Sequence, residues 1–162
     1  MCFKWLKKVF NPIYRMTDDE LILESLKLLD NNIIDSLCEK SVKIKWHDLN
    51  NFDGYTKYAI RALDFSGNNY ILLNNMYKKA PKEQIACLIA HESVHIKQNT
   101  DIKEELQATT TEAITWLYLK NKDTKYEESP LYTRLETISV MNHDQMKQYI
   151  LNNKLYEGTL IV

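Results

Sequence analysis

Glycine and proline are scarce, three of each in 162 residues. So few hinges and breaks exclude a collagen-like, linker-rich or low-complexity chain and leave a packed domain. Cysteine is equally rare. Cys2, Cys38 and Cys87 are odd in number, far apart and without a Cys-x-x-Cys pair, which excludes a disulfide framework and leads to the expectation of a reducing, cytoplasmic setting. An excess of one charge is missing too: 21 basic against 22 acidic residues leave a net charge of −1, well mixed along the chain, so no nucleic-acid partner is expected. No apolar run is long enough for a membrane span or a signal-peptide core, and no internal repeat is found.

What the chain does have is apolar content. At 44% hydrophobic it can bury the core of one domain and is too short for two ordinary ones. Residues 1–16 are set apart as a basic, aromatic N-terminal segment, and residues 17–162 form the expected single domain. Phe3, Trp5, Leu6, Val9 and Phe10 interleave with Lys4, Lys7 and Lys8, a composition that suits packing on the domain better than the alternative, contact with a membrane surface.

Thr17-Asp18-Asp19-Glu20 reads as a capping box opening a helix to about Leu29, which Asn31-Asn32 interrupts, with a second short helix over about Ile33 to Lys40. From Val42 the period changes to two: Val42, Ile44 and Trp46 alternate with Lys43, Lys45 and His47, the pattern of a half-buried strand. Tyr55 to Phe65 and Tyr70 to Leu73 read as two further strands joined by a turn at Ser66-Gly67-Asn68-Asn69, making a small, mostly antiparallel three-stranded sheet. The stretch Ile71 to Asn74 is either a free edge, on which an extended peptide could lie as an added strand, or a terminal strand covered by loop. Helical patterns then dominate: Pro81 to about Asn99, Ile102 to Leu119, a segment starting at Pro130, and a last helix capped near Asn142 and running through Leu151. The fold class expected is therefore α+β, with N-terminal helices, the sheet, and a helical C-terminal half.

The informative stretch is Ala90-His91-Glu92-Ser93-Val94-His95-Ile96. Residues four apart stack on one face of a helix, so His91 and His95 can both point at one metal ion, with Glu92 one step round the same surface. Imidazoles are good zinc ligands, and a catalytic site needs three protein ligands plus an open position for water. A carboxylate beside that water can take its proton, the role expected of Glu92. Ile85, Leu88, Ile89 and Ile96 form one apolar stripe with Glu92 in its middle, where an unpaired carboxylate is costly unless it has a function. His47 and His143 stand alone, and Cys87 reads as a small buried helix residue rather than a ligand.

Two histidines are not enough. Asp101-Ile102-Lys103-Glu104 looks like a helix cap that occupies Glu104, leaving Glu105 free. Glu105, Thr109, Glu112 and Trp116 share one side of the helix that follows, with the small Ala108 beside them allowing close approach. Glu105 is therefore expected as the third ligand, while Glu112, two turns on, either replaces it or orients a histidine ring from behind. Tyr118, Tyr126, Tyr132, Arg134 and His143 are all available to stabilise an oxyanion, and spacing alone selects none of them.

His91-Glu92-x-x-His95 followed by Glu105-Leu106-Gln107-Ala108 resembles the gluzincin class of zinc metallopeptidases, in the minimal form of the HtpX-type and ImmA-type catalytic cores, over about Tyr70 to Leu119. Thr109 stands where several of these families carry Asp or Asn, and the interval from His95 to Glu105 is shorter than usual for them. The resemblance implies a zincin-like fold with Zn2+ on His91, His95 and Glu105, and with Glu92 as general base in the hydrolysis of a peptide or protein substrate. The alternative expectation is a regulatory or interaction protein whose zincin-like site binds metal without catalysis.

Overall fold

The structure, a computed structural model, describes residues 11–50, 56–95, 101–120, 126, 129–153 and 160–161. It is an α+β fold with helices α1 (Glu20–Leu26), α2 (Asn31–Glu39), α3 (Lys82–Val94), α4 (Ile102–Leu119), α5 (Pro130–Ser139) and α6 (His143–Asn153). Between α2 and α3 lie strands β1 (Lys43–His47), β2 (Ala59–Leu63) and β3 (Asn69–Asn74), to which Leu160–Ile161 adds a two-residue β4. The expectations for residues 1–10 and for Ile96, Gln98, Asn99 and Thr100 fall outside the described residues. Among the described residues no helix is long and apolar enough to cross a membrane.

Core packing begins early. Ile13 and Met16, at and after a short 3₁₀ turn (Pro12–Arg15), are buried, and the Met16 carbonyl accepts from the Ile44 N–H at 2.8 Å. The cap of α1 is Asp19 rather than Thr17. One Asp19 oxygen accepts the Ile22 N–H at 3.0 Å and the other the Trp46 indole N–H at 2.9 Å, so one carboxylate both caps the helix and ties it to β1. Thr17 instead accepts the Asp19 N–H. α1 stops at Leu26, and Asp30 caps α2 through the Asn32 N–H at 2.8 Å, so Asn31-Asn32 begins the second helix instead of merely interrupting the first.

The sheet is mixed, in the order β1-β3-β2-β4. β2 and β3 form the expected antiparallel hairpin, its turn closed by Asp64, which accepts from the Ser66 and Asn68 N–H groups, and by Gly67 at φ +80°, a left-handed conformation that only glycine adopts freely. β1 pairs with β3 in parallel, Ile44 opposite Ile71 and Trp46 opposite Leu73. This corrects the expectation of a free edge at Ile71 to Asn74: β3 is the central strand, with its backbone groups taken on both sides. The reason lies in its side chains. Ile71, Leu72, Leu73 and Asn74 are all buried, so this strand needs cover on both faces and pairing on both edges. The connection over residues 48–58 is long enough to carry β2 past the slot that β3 fills.

α3 is the middle of the fold. Every residue from Gln84 to Ser93 is buried, so the single apolar stripe expected from spacing is in fact a helix covered all round, as in the interior of a larger domain. α4 covers one side, α1 another, and β2 and β3 lie beneath. α3 ends at Val94, not near Asn99, and His95 already has φ −68° and ψ 83°, outside the helical region. α4 begins at the Asp101 cap, whose side chain accepts the Glu104 N–H at 2.8 Å, and runs back along α3. Trp116 on α4 is fully buried, donates to Glu136 at 2.6 Å and is packed by the rings of Tyr126 and Tyr132. Asn142 and Gln145 cap α6 reciprocally at 2.9 and 3.0 Å.

Candidate metal centre

The site lies where the last turn of α3 meets the first half of α4. His91 is on the final helical turn of α3, His95 is the residue just past it, and Glu105 is on the opening turn of α4. The Nε2 atoms of the two histidines are 3.1 Å apart, Glu105 Oε1 is 3.4 Å from that of His91, and Glu105 Oε2 is 3.4 Å from that of His95. These groups are buried, at 8%, 7% and 2% exposure, and their ligand atoms all lie within 4.8 Å of one another, so they could hold a metal ion. For comparison, ligands placed about 2.0–2.1 Å from one ion at tetrahedral angles are about 3.3–3.4 Å apart. Two imidazole lone pairs pointed at each other across 3.1 Å with a carboxylate beside them repel unless a cation, a metal or a proton, sits among them.

The far nitrogens settle which lone pairs are free. His91 Nδ1 meets Glu112 at 2.9 Å and His95 Nδ1 meets Glu104 at 3.1 Å. A carboxylate accepts only, so each Nδ1 carries the proton and each Nε2 is left to bind. Glu112 therefore lies behind the His91 ring, and Glu105 is the acid that faces both Nε2 atoms. Glu104, which spacing assigned to capping, holds His95 instead, and the cap rests on Asp101 alone. Thr109, the departure from the family pattern, sits 3.4 Å from Glu105 Oε1 and donates its hydroxyl there.

Two guanidinium groups complete the site: Arg134, one of the residues left open for an oxyanion, and Arg61, which was not singled out from sequence. Arg134 on α5 donates to both oxygens of Glu112, at 3.1 and 2.6 Å, so Glu112 bridges it to His91. Arg61 on β2 donates to the His95 carbonyl at 2.9 Å and to Asn69 at 2.6 Å, leaving its buried Nε without a partner. The only hint was a guanidinium inside an otherwise apolar strand. Four carboxyl groups, Glu92, Glu104, Glu105 and Glu112, thus share the site with two guanidinium groups, a surplus of acids over fixed cations that protons or a metal ion offset.

That excess shows in the titration of the groups. Burial pushes Glu92 up to about 7, with Glu105 and Glu112 adding to it. Burial and the neighbouring Glu112 also raise Glu105. Burial alone would depress His91, but Glu105, Glu112 and Glu92 outweigh it and lift it to about 9. Burial and the charge of His91 hold His95 down at about 4. Glu112 is buried too, yet Arg134 and His91 bring it down to about 2. Without metal, the two facing imidazoles thus share one proton at neutral pH.

The remaining candidates lie elsewhere. Cys87 is fully buried in the core with its thiol pushed up by burial. His143 is exposed beside Asp144, Tyr118 is 84% exposed, and Tyr126 and Tyr132 pack on Trp116.

Because His95 has left the helix, its position depends among the described residues on two bonds, its Nδ1–H donating to Glu104 and its carbonyl accepting from Arg61. Arg61→Met is therefore expected to weaken metal binding about tenfold or more, with Arg61→Lys intermediate. Competition with a chelating dye measures this, and unchanged affinity in a folded Arg61→Met protein would show that the guanidinium plays no part in placing His95.

The chain was compared with models of known protein families, with curated proteins and with solved structures, and it matches none of them.

Proposed function

We propose that this protein is a zinc-dependent metallopeptidase of the gluzincin type. The observation that carries the proposal is one arrangement: two Nε2 atoms and the Glu105 carboxylate within 3.1–3.4 Å of each other, with Glu92 buried beside them. Two imidazoles and one carboxylate are the donor set of a catalytic zinc, borderline in softness and one short of a closed tetrahedron. The ion bound there supplies Lewis acidity toward water and toward a substrate carbonyl.

The protein groups do the rest. His91 and His95 bind through Nε2 because Glu112 and Glu104 hold their other nitrogens. Glu92 carries the proton: among the described residues no group hydrogen-bonds its carboxylate, and its pKa of about 7 lets it take a proton and give it up again at neutral pH. In the reaction proposed, water loses a proton to Glu92 and its oxygen bonds to the peptide carbon. The C–N bond then breaks, and the leaving nitrogen takes the proton from Glu92. The core around α3 and the helices α4 and α5 exclude bulk water from behind the site, which strengthens each of these interactions.

The test joins metal content to activity. The wild-type protein is expected to bind one equivalent of zinc by elemental analysis and to cleave members of a peptide library. Glu92→Gln should keep the zinc and lose about 10²–10⁴-fold in cleavage rate. Zinc retained in both proteins with no cleavage by either would mean a non-catalytic metal site, and no zinc in either would remove the proposal altogether.

A further inference from the structure

An open cleft of about 490 Å³ lies beside Arg134, lined by Tyr58, Ser129, Pro130, Thr133, Arg134, Thr137 and Tyr149. Ser129, Thr133 and Thr137 are four residues apart in sequence and so present their hydroxyls along one face of α5. The Tyr58 ring is held from behind by stacking on Tyr77, centroids 5.6 Å apart and planes at 11°, and the Arg134 guanidinium sits 5.1 Å from its centre. The cleft therefore has a fixed aromatic wall, a row of hydroxyls and one cation.

The cation is only half used. A guanidinium has five N–H donors in a planar fork. Glu112 takes one from Nε and one from Nη2, and among the described residues the three others have no acceptor. Arg134 is 7% exposed and is the buried member of the cleft's lining, so what these donors can still meet is a molecule in the cleft. A buried guanidinium edge with two parallel N–H groups is shaped for a second, planar, bidentate oxyanion.

We infer that this cleft is a binding site for a small organic carboxylate, its oxygens on the free edge of Arg134 and its apolar body against Tyr58, Pro130 and Tyr149. The carboxylate fits better than a phosphate because one planar edge and one cation are offered without a lysine, and at the α5 N-terminus beside the cleft Pro130 has no N–H and the Tyr132 N–H is already accepted by the Ser129 hydroxyl. The inference does not rest on the metal chemistry, although the same Arg134 holds Glu112 behind His91.

Benzoate is the probe, with benzamide as its neutral isostere and inorganic phosphate as the competing anion. Amide chemical shifts of the intact protein should move saturably with benzoate at a Kd of about 1–10 mM, the range open to so small a ligand, with the largest changes at Thr133, Thr137 and Tyr149. Benzamide should bind at least tenfold more weakly, and phosphate should not displace benzoate at equal concentration. Thr137→Trp, which fills the cleft and leaves the Arg134–Glu112 pair in place, should abolish the shifts without altering the fold. Equal binding of benzamide, displacement by phosphate, unchanged binding in Thr137→Trp, or no saturable shift with benzoate would each overturn the assignment.

Discussion

Glu112→Ala is expected to cost the fold about 3–5 kcal/mol, a third or more of the stability of an ordinary domain. The carboxylate is fully buried and accepts from Arg134 twice and from His91 once. Removing it leaves a guanidinium that cannot shed its proton inside the protein. Glu112→Gln keeps an acceptor oxygen and should cost less, about 1.5–3 kcal/mol for hydrogen bonds to a charged group. Arg134→Met added to Glu112→Ala removes the orphaned cation and should recover most of the loss, a non-additivity that a double-mutant cycle reads directly. Urea unfolding at neutral pH measures the wild type, the two Glu112 variants, Arg134→Met and the double variant, and a loss under about 1 kcal/mol in Glu112→Ala would mean that the bridge is not structural. The pH dependence has a definite sign. Glu112 titrates at about 2 in the fold against about 4.3 when unfolded. Its contribution is complete above the unfolded value and is lost as pH falls through about 4 toward 2.

Zinc at about a thousandfold over its Kd is expected to stabilise the protein by about 4 kcal/mol, on the order of 10 °C in Tm for a chain of this size. His91→Ala or His95→Ala should abolish the gain. The same binding should release about one proton at pH 7, because His91 titrates at about 9 and His95 at about 4, and the shared proton must leave before both Nε2 atoms can bind. Apparent affinity should therefore rise close to tenfold per pH unit from about 6 and level off near 9. Glu92, at about 7, acts in the same direction: its raised pKa favours the metal-free fold at low pH, and that stability is lost as pH rises through about 7. Calorimetry in buffers of different ionisation enthalpy counts the protons, and binding with no proton released at pH 7 would contradict the arrangement of the two rings.

Much of this was legible in the residues themselves. His91, Glu92 and His95 were identifiable as a motif from their spacing, although His95 lies just past the end of α3 rather than on its face, and Glu105 because a cap at Asp101 sets the phase of α4. The boundaries of α4 were legible for the same reason, a cap at one end and a polar connector at the other. Two kinds of feature were not. Glu104 satisfied a local rule for capping, but a histidine ring brought in by the adjacent helix offered a stronger partner, and α4 is capped by the Asp101 side chain alone. Arg61 and Arg134 lie 34 residues before and 39 after His95, and no local pattern connects them to it.

The sheet shows the same division. The strands and the hairpin turn follow from alternation and from Gly67, but the placement of β3 between β1 and β2 depends on how much apolar surface each strand has to hide once α3 is laid against the sheet. By itself the sequence determined the candidate groups, two histidines four apart and the acids Glu105 and Glu112, and the helices that bring them near one another, because those depend on spacings within a turn or two. Only the tertiary structure decided which acid faces both imidazoles, which acids stand behind them, and that two guanidinium groups share the site. Those are choices about burying charge, and a charge leaving water is stabilised by whatever the fold places within a few ångströms, however far away in sequence.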